Sequence, residues 1–262
     1  MDLQLHGKTA LVTGSTAGIG LEIARKLAAE GADTIICGRT QAKLDSALAD
    51  LAASGGKIRA ILADPATAKG AATLTAVVPA VDILVNNLGI YESKPFADIS
   101  DEDWLRLFEV NVLSGVRLAR QYFPAMLRQN FGRIIFISSE SALMTPAEMI
   151  HYGMTKTAQL AVSRGLAQLT KGTRVTVNSV LPGPTRSEGI VDFLKSVAAD
   201  PSAPPAELEA QFFRDHRATS LIQRMIEPDE IASLVAFVAS PLSAATNGAV
   251  LRADGGITPT AV

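Results

Sequence analysis

The first thirty residues constrain the fold of this chain more than any other stretch. The short apolar run Lys8–Thr13 is followed directly by glycines at positions 14, 18 and 20, and then by the helical pattern Leu21–Ala29. Glycines at a strand-to-helix junction let the backbone turn sharply and approach a pyrophosphate, which binds the free N–H groups at the start of the helix. A plain tight turn is the alternative, but this placement favours nucleotide binding.

Further apolar runs of strand length alternate with helical patterns along the chain. The expected strands after the first are Asp33–Cys37, Lys57–Ala63, Val81–Val85, Arg133–Ser139, Arg174–Val180 and Ala249–Arg252. This alternation predicts an α/β fold, a single doubly wound parallel sheet of about seven strands (Rossmann-like) with helices on both faces. A chain of 262 residues is expected to form one domain, 1–262.

Charge and cysteine content exclude several function classes. The formal net charge is −2, which gives no preference for nucleic acid or an anionic membrane. No apolar run reaches the roughly 18 residues of a membrane span, and Met1–Lys8 does not read as a secretory signal. Cys37 is the single cysteine and cannot form an internal disulfide. We expect a cytoplasmic protein without a metal, nucleic-acid or membrane partner.

The end of the second strand bears on the choice of cofactor. NAD-binding sheets carry a carboxylate about 20 residues past the glycine turn, where it holds the ribose 2′-hydroxyl. No carboxylate lies between Thr34 and Lys43, and Arg39 and Thr40 stand where a 2′-phosphate could bind. The sequence therefore predicts NADP, with NAD possible, unless Arg39 is only a solvated loop residue.

Polar residues also follow the third and fourth strands. Asp64 could hydrogen-bond an adenine amine or cap the next helix, Ala66–Pro79. Asn86 and Asn87 could bind backbone or ribose groups, and Gly89 allows close approach of a cofactor. A structural turn is the alternative for this second group.

A long helix is expected over Asp101–Gln129, with Ser100 as its N-cap. Pro124 should kink this helix or end its regular part. Asn111 lies on its mostly apolar face, where a polar side chain needs a partner or a water molecule. Asn111 is therefore either a satisfied core amide or a residue that holds water for a proton relay.

Tyr152 and Lys156 form the strongest catalytic candidate in the chain. Residues four apart share one face of a helix, so we expect the phenol and the ammonium to lie side by side. A positive charge within a few Å would lower the pKa of the phenol and suit it to proton transfer. Ser139 should emerge at the carboxyl end of a buried strand, where α/β sheets bind ligands.

The stretch 186–226 carries Pro201, Pro204 and Pro205 and has no sustained strand pattern. Long irregular segments of compact domains are usually lids or binding loops. We expect a substrate lid here, with one short helix near Glu207–Phe213. Polar residues that could face the substrate are Glu140, Glu148, His151, Arg186 and Glu188, although solvated loop positions are the more ordinary interpretation.

These motifs, in this order, resemble the short-chain dehydrogenase/reductase family across essentially the whole chain. The residues that carry the resemblance are Thr13, Gly14, Gly18, Gly20, Asp64, Asn86, Asn87, Gly89, Asn111, Ser139, Tyr152, Lys156, Asn178, Pro182 and Gly183. The resemblance implies a catalytic tetrad of Asn111, Ser139, Tyr152 and Lys156. In it, Tyr152 exchanges a proton with the substrate oxygen, Ser139 holds that oxygen, Lys156 lowers the tyrosine pKa and binds ribose, and Asn111 holds a water.

The resemblance also implies the dinucleotide contacts and the assembly. Together with the motifs above, the expected cofactor-binding residues are Gly14, Ser15, Gly18, Ile19, Gly20, Arg39, Asp64, Asn87, Gly89, Tyr152, Lys156, Pro182, Gly183 and Thr185. Ala17 departs from the basic residue of many NADP-preferring members, which leaves the NADP prediction on Arg39 and Thr40. A homotetramer is expected by resemblance. The expected reaction interconverts a ketone and a secondary alcohol; a 3-oxoacyl thioester reductase and a dinucleotide-binding sensor or scaffold without turnover are the alternatives.

Overall fold

The fold is a seven-stranded parallel sheet, seen in a computed structural model that describes residues 1–187 and 189–260. The strands are β1 Thr9–Val12, β2 Asp33–Gly38, β3 Ile58–Leu62, β4 Ile83–Asn86, β5 Gly132–Ile137, β6 Val175–Pro182 and β7 Val250–Ala253. Their order across the sheet is β3-β2-β1-β4-β5-β6-β7. The predicted doubly wound sheet is confirmed, and the strand bounds agree to within about two residues.

Helices cover both faces of this sheet. They are α1 Gly18–Ala29, α2 Gln41–Leu51, α3 Ala68–Val77, α4 Asp101–Phe108, α5 Ser114–Arg128, α6 Ile150–Gln168, α7 Ile190–Val197, α8 Pro205–Asp215 and α9 Pro228–Ala239. One apolar cluster joins the sheet to α1, α2 and α9 and includes Leu27 and Val235. A second joins the other face to α3 and α5 and includes Leu74 and Tyr122. The burial of both faces explains why most strands read as continuous apolar runs.

The sheet register brings four strand ends to one edge. Val12 of β1 pairs with Val85 of β4, and Asn86 pairs with Phe136 of β5. Ile137 then pairs with Val180 of β6. Because all these strands run in parallel, the residues that follow them emerge together at the carboxyl edge, where α/β sheets bind ligands.

The expected continuous helix Asp101–Gln129 was wrong in its middle. A π-helical turn over Glu109–Leu113 separates α4 from α5, and Asn111 lies within it. π-Turns add a residue to the helical turn and occur often at functional sites. Pro124, by contrast, does not end the helix, since α5 continues through it to Arg128. The Ser100 N-cap is present, with its hydroxyl accepting from the backbone N–H of Asp103.

The stretch 186–226 is more regular than the sequence interpretation allowed. It contains two helices, α7 and α8, instead of one short helix near Glu207–Phe213. The apolar residues of α7 recur at 190, 193, 194 and 197, which is the spacing of one helical face. The three prolines lie outside α7 and, at Pro204 and Pro205, begin α8, where a missing N–H costs nothing.

Candidate active site

The glycine turn between β1 and α1 lets a ligand approach the protein backbone closely. Gly14 and Gly18 have φ angles of 59° and 54°, a region that side chains disfavour. A methyl group at Gly20 would overlap the carbonyl oxygen of Gly14 and the amide of Asn87. The N-cap of α1 is Ala17, which has no side-chain oxygen to accept from the first helical N–H groups. These N–H groups are therefore left for an anionic ligand, which fits a pyrophosphate.

Two predicted cofactor contacts use their side chains to hold this turn. Asn87 donates its Nδ2 hydrogens to the carbonyl oxygens of Thr13 and Gly14, both at 3.0 Å. The Ser15 hydroxyl donates to the Val12 carbonyl at 2.7 Å and accepts from the Cys37 N–H at 3.0 Å. These bonds tie β1, β2 and β4 together, so the side chains of Ser15 and Asn87 stabilise the shape of the turn.

Two other predicted contacts lie away from the central cavity. Arg39 is exposed at the end of β2. Asp64 follows β3, and its carboxylate accepts from the N–H of Ala66 at 3.2 Å. The N-cap of α3 is Thr67, whose hydroxyl accepts from Gly70 at 3.0 Å. Asp64 therefore closes the turn before the helix and does not cap it.

A cavity of about 420 Å³ opens at the carboxyl edge of the sheet. The predicted site residues that line it are Gly18, Ile19, Gly20, Asn87, Gly89, Ser139, Tyr152, Lys156, Pro182, Gly183 and Thr185. Those that lie outside its lining are Gly14, Ser15, Arg39, Asp64 and Asn111. The structure thus places the glycine turn, the serine and the tyrosine–lysine pair around one space.

Asn111 lies outside the lining of this cavity, and its side-chain amide is hydrogen-bonded to protein groups through both Nδ2 and Oδ1. Its Nδ2 donates to the Ile90 carbonyl at 2.9 Å and to the Thr155 hydroxyl at 3.0 Å, and its Oδ1 accepts from the Ile90 N–H at 2.8 Å. A methyl group placed on Gly89 would lie 3.4 Å from Lys156 Nζ and 3.5 Å from Asn111 Oδ1. This arrangement matches the satisfied core amide, placed close to Lys156; the water-holding role stays a prediction.

Lys156 lies close to Tyr152 as expected, but burial is the larger influence on the tyrosine pKa; the lowering of that pKa by Lys156 stays a prediction. Lys156 Nζ donates to the Ile137 carbonyl at 3.0 Å and lies 5.5 Å from the centre of the Tyr152 ring. Burial raises the pKa of Tyr152, and the nearby charge of Glu140 adds to that rise. Burial also lowers the pKa of Lys156 to about 8. Tyr152 is therefore protonated at neutral pH, because removing its proton would place a charge in a desolvated site.

The Ser139 side chain is hydrogen-bonded to the next residue, Glu140, a contact that the sequence analysis did not predict. The Ser139 hydroxyl donates to the carboxylate of Glu140 at 2.6 Å and accepts from the N–H of Ser141 at 3.1 Å. Arg217 contacts the other oxygen of Glu140 at 3.4 Å. Both Glu140 and Arg217 line the cavity. Arg217 was missed entirely, because it lies just after α8 with no motif around it.

Three aromatic side chains in mutual contact also line the cavity. Tyr91 contacts Tyr152 and Phe193 edge-on, with ring centres 6.3 and 6.0 Å apart. Phe193 in turn contacts Phe212 at 5.9 Å. Sequence reasoning missed all three as site residues. The position of Tyr91, two residues past Gly89, was the one available signal.

The other polar candidates within the described residues, Glu148, His151 and Arg186, do not line this cavity. His151 is fully buried against Trp104, and burial lowers its pKa. Arg186 forms ion pairs with Glu209 and Glu227. Glu148 lines a second cavity of about 400 Å³ on the other side of Arg217. Glu188 lies outside the described residues.

The comparisons with known proteins agree with this geometry. The model of the short chain dehydrogenase family matches residues 8–195. The chain belongs to the short-chain dehydrogenase family. It is therefore an oxidoreductase of the kind that acts on CH–OH groups.

Relatives of this short-chain dehydrogenase match it along nearly its whole length. It is 51% identical to an uncharacterized oxidoreductase of Bacillus subtilis, YvaG, over 98% of both chains. It is 30% identical to the 3-oxoacyl-[acyl-carrier-protein] reductase FabG of Aquifex aeolicus, over 98% of this chain and 100% of that one. The L-sorbose reductase of Gluconobacter frateurii, solved with NADPH and L-sorbose, superimposes with a TM-score of 0.92 at 29% identity, over 99% and 100% of the two chains.

Over 1–187 and 189–260, no helix is long and apolar enough to cross a membrane. The same residues contain no group of three or more His, Cys, Asp or Glu side chains arranged to hold a metal ion.

Proposed function

We propose that this protein is an NADP(H)-dependent oxidoreductase that interconverts a ketone and a secondary alcohol. The observation that carries the proposal is the shared cavity. Ser139, Tyr152 and Lys156 line the same space as the glycine turn, at the carboxyl edge of the sheet. A protein that only bound a dinucleotide would have no use for a protonated phenol beside a serine in that space.

Tyr152 is the proposed general acid in carbonyl reduction and the general base in alcohol oxidation. Its raised pKa keeps the proton on the phenol at neutral pH, as an acid for the ketone oxygen requires. Ser139 holds the same oxygen by a hydrogen bond as negative charge develops on it. Lys156, whose pKa burial lowers to about 8, is proposed to act on Tyr152 through its charge and to bind the nicotinamide ribose.

The cofactor proposal rests on the shape of the glycine turn and on charge. The free N–H groups at the start of α1 suit the pyrophosphate, and Gly18, Ile19 and Gly20 line the cavity beside them. NADP(H) accepts or donates the hydride when it is bound. Arg39, exposed at the end of β2, is proposed to bind the 2′-phosphate and to favour NADP over NAD roughly ten- to a hundredfold. The NADPH bound to L-sorbose reductase supports this choice.

The remaining proposals concern the surroundings of the site. Residues 186–226 are proposed to act as the substrate lid of a single domain, because Ile190, Phe193 and Phe212 line the cavity from that stretch. A homotetramer in the cytoplasm is proposed by likeness to the family.

One experiment tests the reaction, the cofactor and the tyrosine together. Consumption of NADPH and NADH is followed with a panel of ketones, diketones, 3-oxoacyl thioesters and ketoses, for the wild type, Tyr152→Phe and Arg39→Gln. We expect turnover with a preference for NADPH, a loss of about 10²- to 10⁴-fold in Tyr152→Phe, and loss of the cofactor preference in Arg39→Gln. Undiminished activity in Tyr152→Phe would overturn the proposed mechanism.

A second candidate is the reduction of a 3-oxoacyl thioester. The relative that favours it is the FabG of Aquifex aeolicus, 30% identical along the chain. The thioester members of the panel decide between the two candidates. Tight NADPH binding without turnover on any carbonyl would instead support a dinucleotide-binding sensor.

A further inference from the structure

The serine that should hold the substrate oxygen is already engaged by a carboxylate. The Ser139 hydroxyl donates to Glu140 at 2.6 Å, and both side chains are buried, with exposed fractions of 6% and 5%. A hydroxyl group has one hydrogen to donate and two lone pairs. The hydrogen of Ser139 is used on Glu140, and one lone pair is used by the N–H of Ser141. With its hydrogen directed at Glu140, Ser139 faces Tyr152 and the cavity with its remaining lone pair.

This arrangement is unsuited to a simple ketone. A carbonyl oxygen accepts hydrogen bonds and has none to donate, and so it gains nothing from a lone pair on Ser139. Stabilising the oxygen as it becomes negative requires the Ser139 hydrogen to point at it. The Ser139 hydrogen must therefore turn away from Glu140 before Ser139 can serve the reaction, and another donor to Glu140 would compensate for the hydrogen bond that is lost.

Arg217 does not release Ser139 from this bond. It contacts the second oxygen of Glu140, at 3.4 Å, and leaves the first to Ser139. Arg217 is itself fixed by the His216 carbonyl at 2.8 Å, by Glu148 at 3.9 Å and by the face of the Phe212 ring. The contact with Arg217 keeps the Glu140 carboxylate in the lining of the cavity. Its charge raises the pKa of both Tyr152 and Lys156.

We propose that Glu140 is a specificity-determining residue that selects ketones bearing a hydroxyl on the carbon next to the carbonyl. The substrate hydroxyl donates to Glu140 in place of Ser139, and Ser139 turns its hydrogen to the carbonyl oxygen. The binding of the substrate hydroxyl to Glu140 thus also frees the Ser139 hydrogen for the carbonyl oxygen. This inference rests on the proposed function and names the substrate class of the same site.

The aromatic lining suggests the remainder of a suitable probe. The same cavity is lined by three aromatic side chains in edge-on contact, Tyr91, Phe193 and Phe212, which provide apolar surface. Three aryl ketones differ in the required feature alone: 2-hydroxyacetophenone has the donor, 2-methoxyacetophenone has the oxygen without the donor, and acetophenone has neither. The methoxy ketone controls for activation of the carbonyl by the neighbouring oxygen.

The decisive variant is Glu140→Gln. The glutamine oxygen can still accept from Arg217, and its amide nitrogen can donate to Ser139, which reverses that hydrogen bond and frees the serine hydrogen. Glu148→Gln is the matched control, because Glu148 also contacts Arg217 but lines only the second cavity. The measured quantity is the ratio of kcat/KM between ketones within one protein, which is independent of the fraction of that protein that is folded.

We expect the wild type and Glu148→Gln to prefer the hydroxy ketone over the methoxy ketone by about tenfold to a hundredfold, since a hydrogen bond to a charged acceptor discriminates to that extent. In Glu140→Gln the preference should fall to near unity, and kcat for acetophenone should rise above that of the wild type. A role in structure alone would lower all three rates together.

Two results would overturn the inference. If the wild type reduces all three ketones equally, or if Glu140→Gln keeps the hydroxyl preference, Glu140 does not select the substrate although the proposed function stands. If neither protein reduces any of the three ketones but the wild type turns over another ketone of the panel that lacks the neighbouring hydroxyl, this inference falls and the proposed function stands; absence of turnover on the whole panel overturns both.

Discussion

The carboxyl edge of the sheet and the segment 186–226 face the same cavity but are held in different ways. The edge is built on β1, β4, β5 and β6, whose residues are almost all buried between two large apolar clusters. The segment has a small apolar cluster of its own, in which the buried residues are Leu194, Leu208, Phe212, Phe213 and Met225. Backbone hydrogen bonds join it to the rest of the chain at Ile226, whose N–H donates to the Pro184 carbonyl at 2.9 Å, and at Leu221, whose N–H donates to the Gly255 carbonyl at 2.8 Å.

This difference separates the chemistry from the choice of substrate. The main core positions Ser139, Tyr152 and Lys156. Displacing these side chains therefore costs about as much free energy as unfolding the whole domain. Phe193, Phe212 and Arg217 are placed by the small cluster or its border, where local opening costs less free energy than global unfolding. We therefore expect substitutions in the two regions to have separable effects.

The largest contrast should come from truncating one buried leucine to alanine in each region. Leu27 is fully buried in α1, and Leu208 is almost fully buried in α8. Leu27→Ala should lower the free energy of unfolding by about 2–5 kcal/mol. Leu208→Ala should leave the global transition within about 1 kcal/mol of the wild type, since opening of the segment is a local event, and should raise KM for the ketone. Chemical denaturation followed by tryptophan fluorescence measures the free energy of unfolding of both variants.

Hydrogen exchange supplies the control for this pair. In Leu208→Ala, amides of residues 190–215 should exchange faster, while those of β1 and β5 keep their protection. A global loss in Leu208→Ala equal to that in Leu27→Ala would show that the segment unfolds together with the main core, against the comparison drawn above.

A second prediction concerns the lysine at the rigid edge. Burial lowers the pKa of Lys156 from 10.5 to about 8, so between these values the unfolded chain binds the proton and the native protein does not. Stability must then rise with pH across this window. Relative to Lys156→Met, the free energy of unfolding of the wild type should increase by about 3 kcal/mol from pH 8 to 10.5. A pH-independent difference would mean that Lys156 is not desolvated in the native state.

The smallest effect is expected at the glycine turn. Gly20→Ala would press a methyl group against the Gly14 carbonyl and the Asn87 amide, and should cost about 1–3 kcal/mol of stability along with affinity for NADPH. Gly165→Ala is the matched control in the exposed part of α6, where an added methyl meets none of the described atoms within 4 Å. That control should stabilise the protein by about 0.5–1 kcal/mol and leave NADPH binding unchanged. Equal NADPH affinity in both variants would contradict the role given to the turn.

The two regions also differ in how far the sequence predicted them. The edge was predictable because strand, glycine turn and helix follow one another locally, and because parallel strands bring their carboxyl ends together by topology. Gly18, Ser139 and Tyr152 could thus be expected around one space. For the segment, the three prolines led to a prediction of mostly irregular structure, although Ile190, Leu194 and Val197 recur at the spacing of one helical face.

The remaining errors arose where tertiary contacts override local pattern. The four-residue spacing correctly placed Lys156 beside the Tyr152 ring, 5.5 Å from its centre, but it could not show that burial raises the pKa of Tyr152. The contact between Glu140 and Arg217 joins residues 77 apart in the chain, and no motif marks either one. Long-range pairs of this kind follow from the packed fold and leave no local signal.

The most direct test of the central claim follows the hydride itself. The wild type is incubated with NADPH deuterated at C4 of the nicotinamide and with 2-hydroxyacetophenone, and the alcohol product is analysed by mass spectrometry, with Tyr152→Phe in parallel. The account predicts one deuterium on the carbinol carbon in the wild type and little product from the variant. Tight binding of NADPH with no deuterium transferred to this or any other ketone would contradict it.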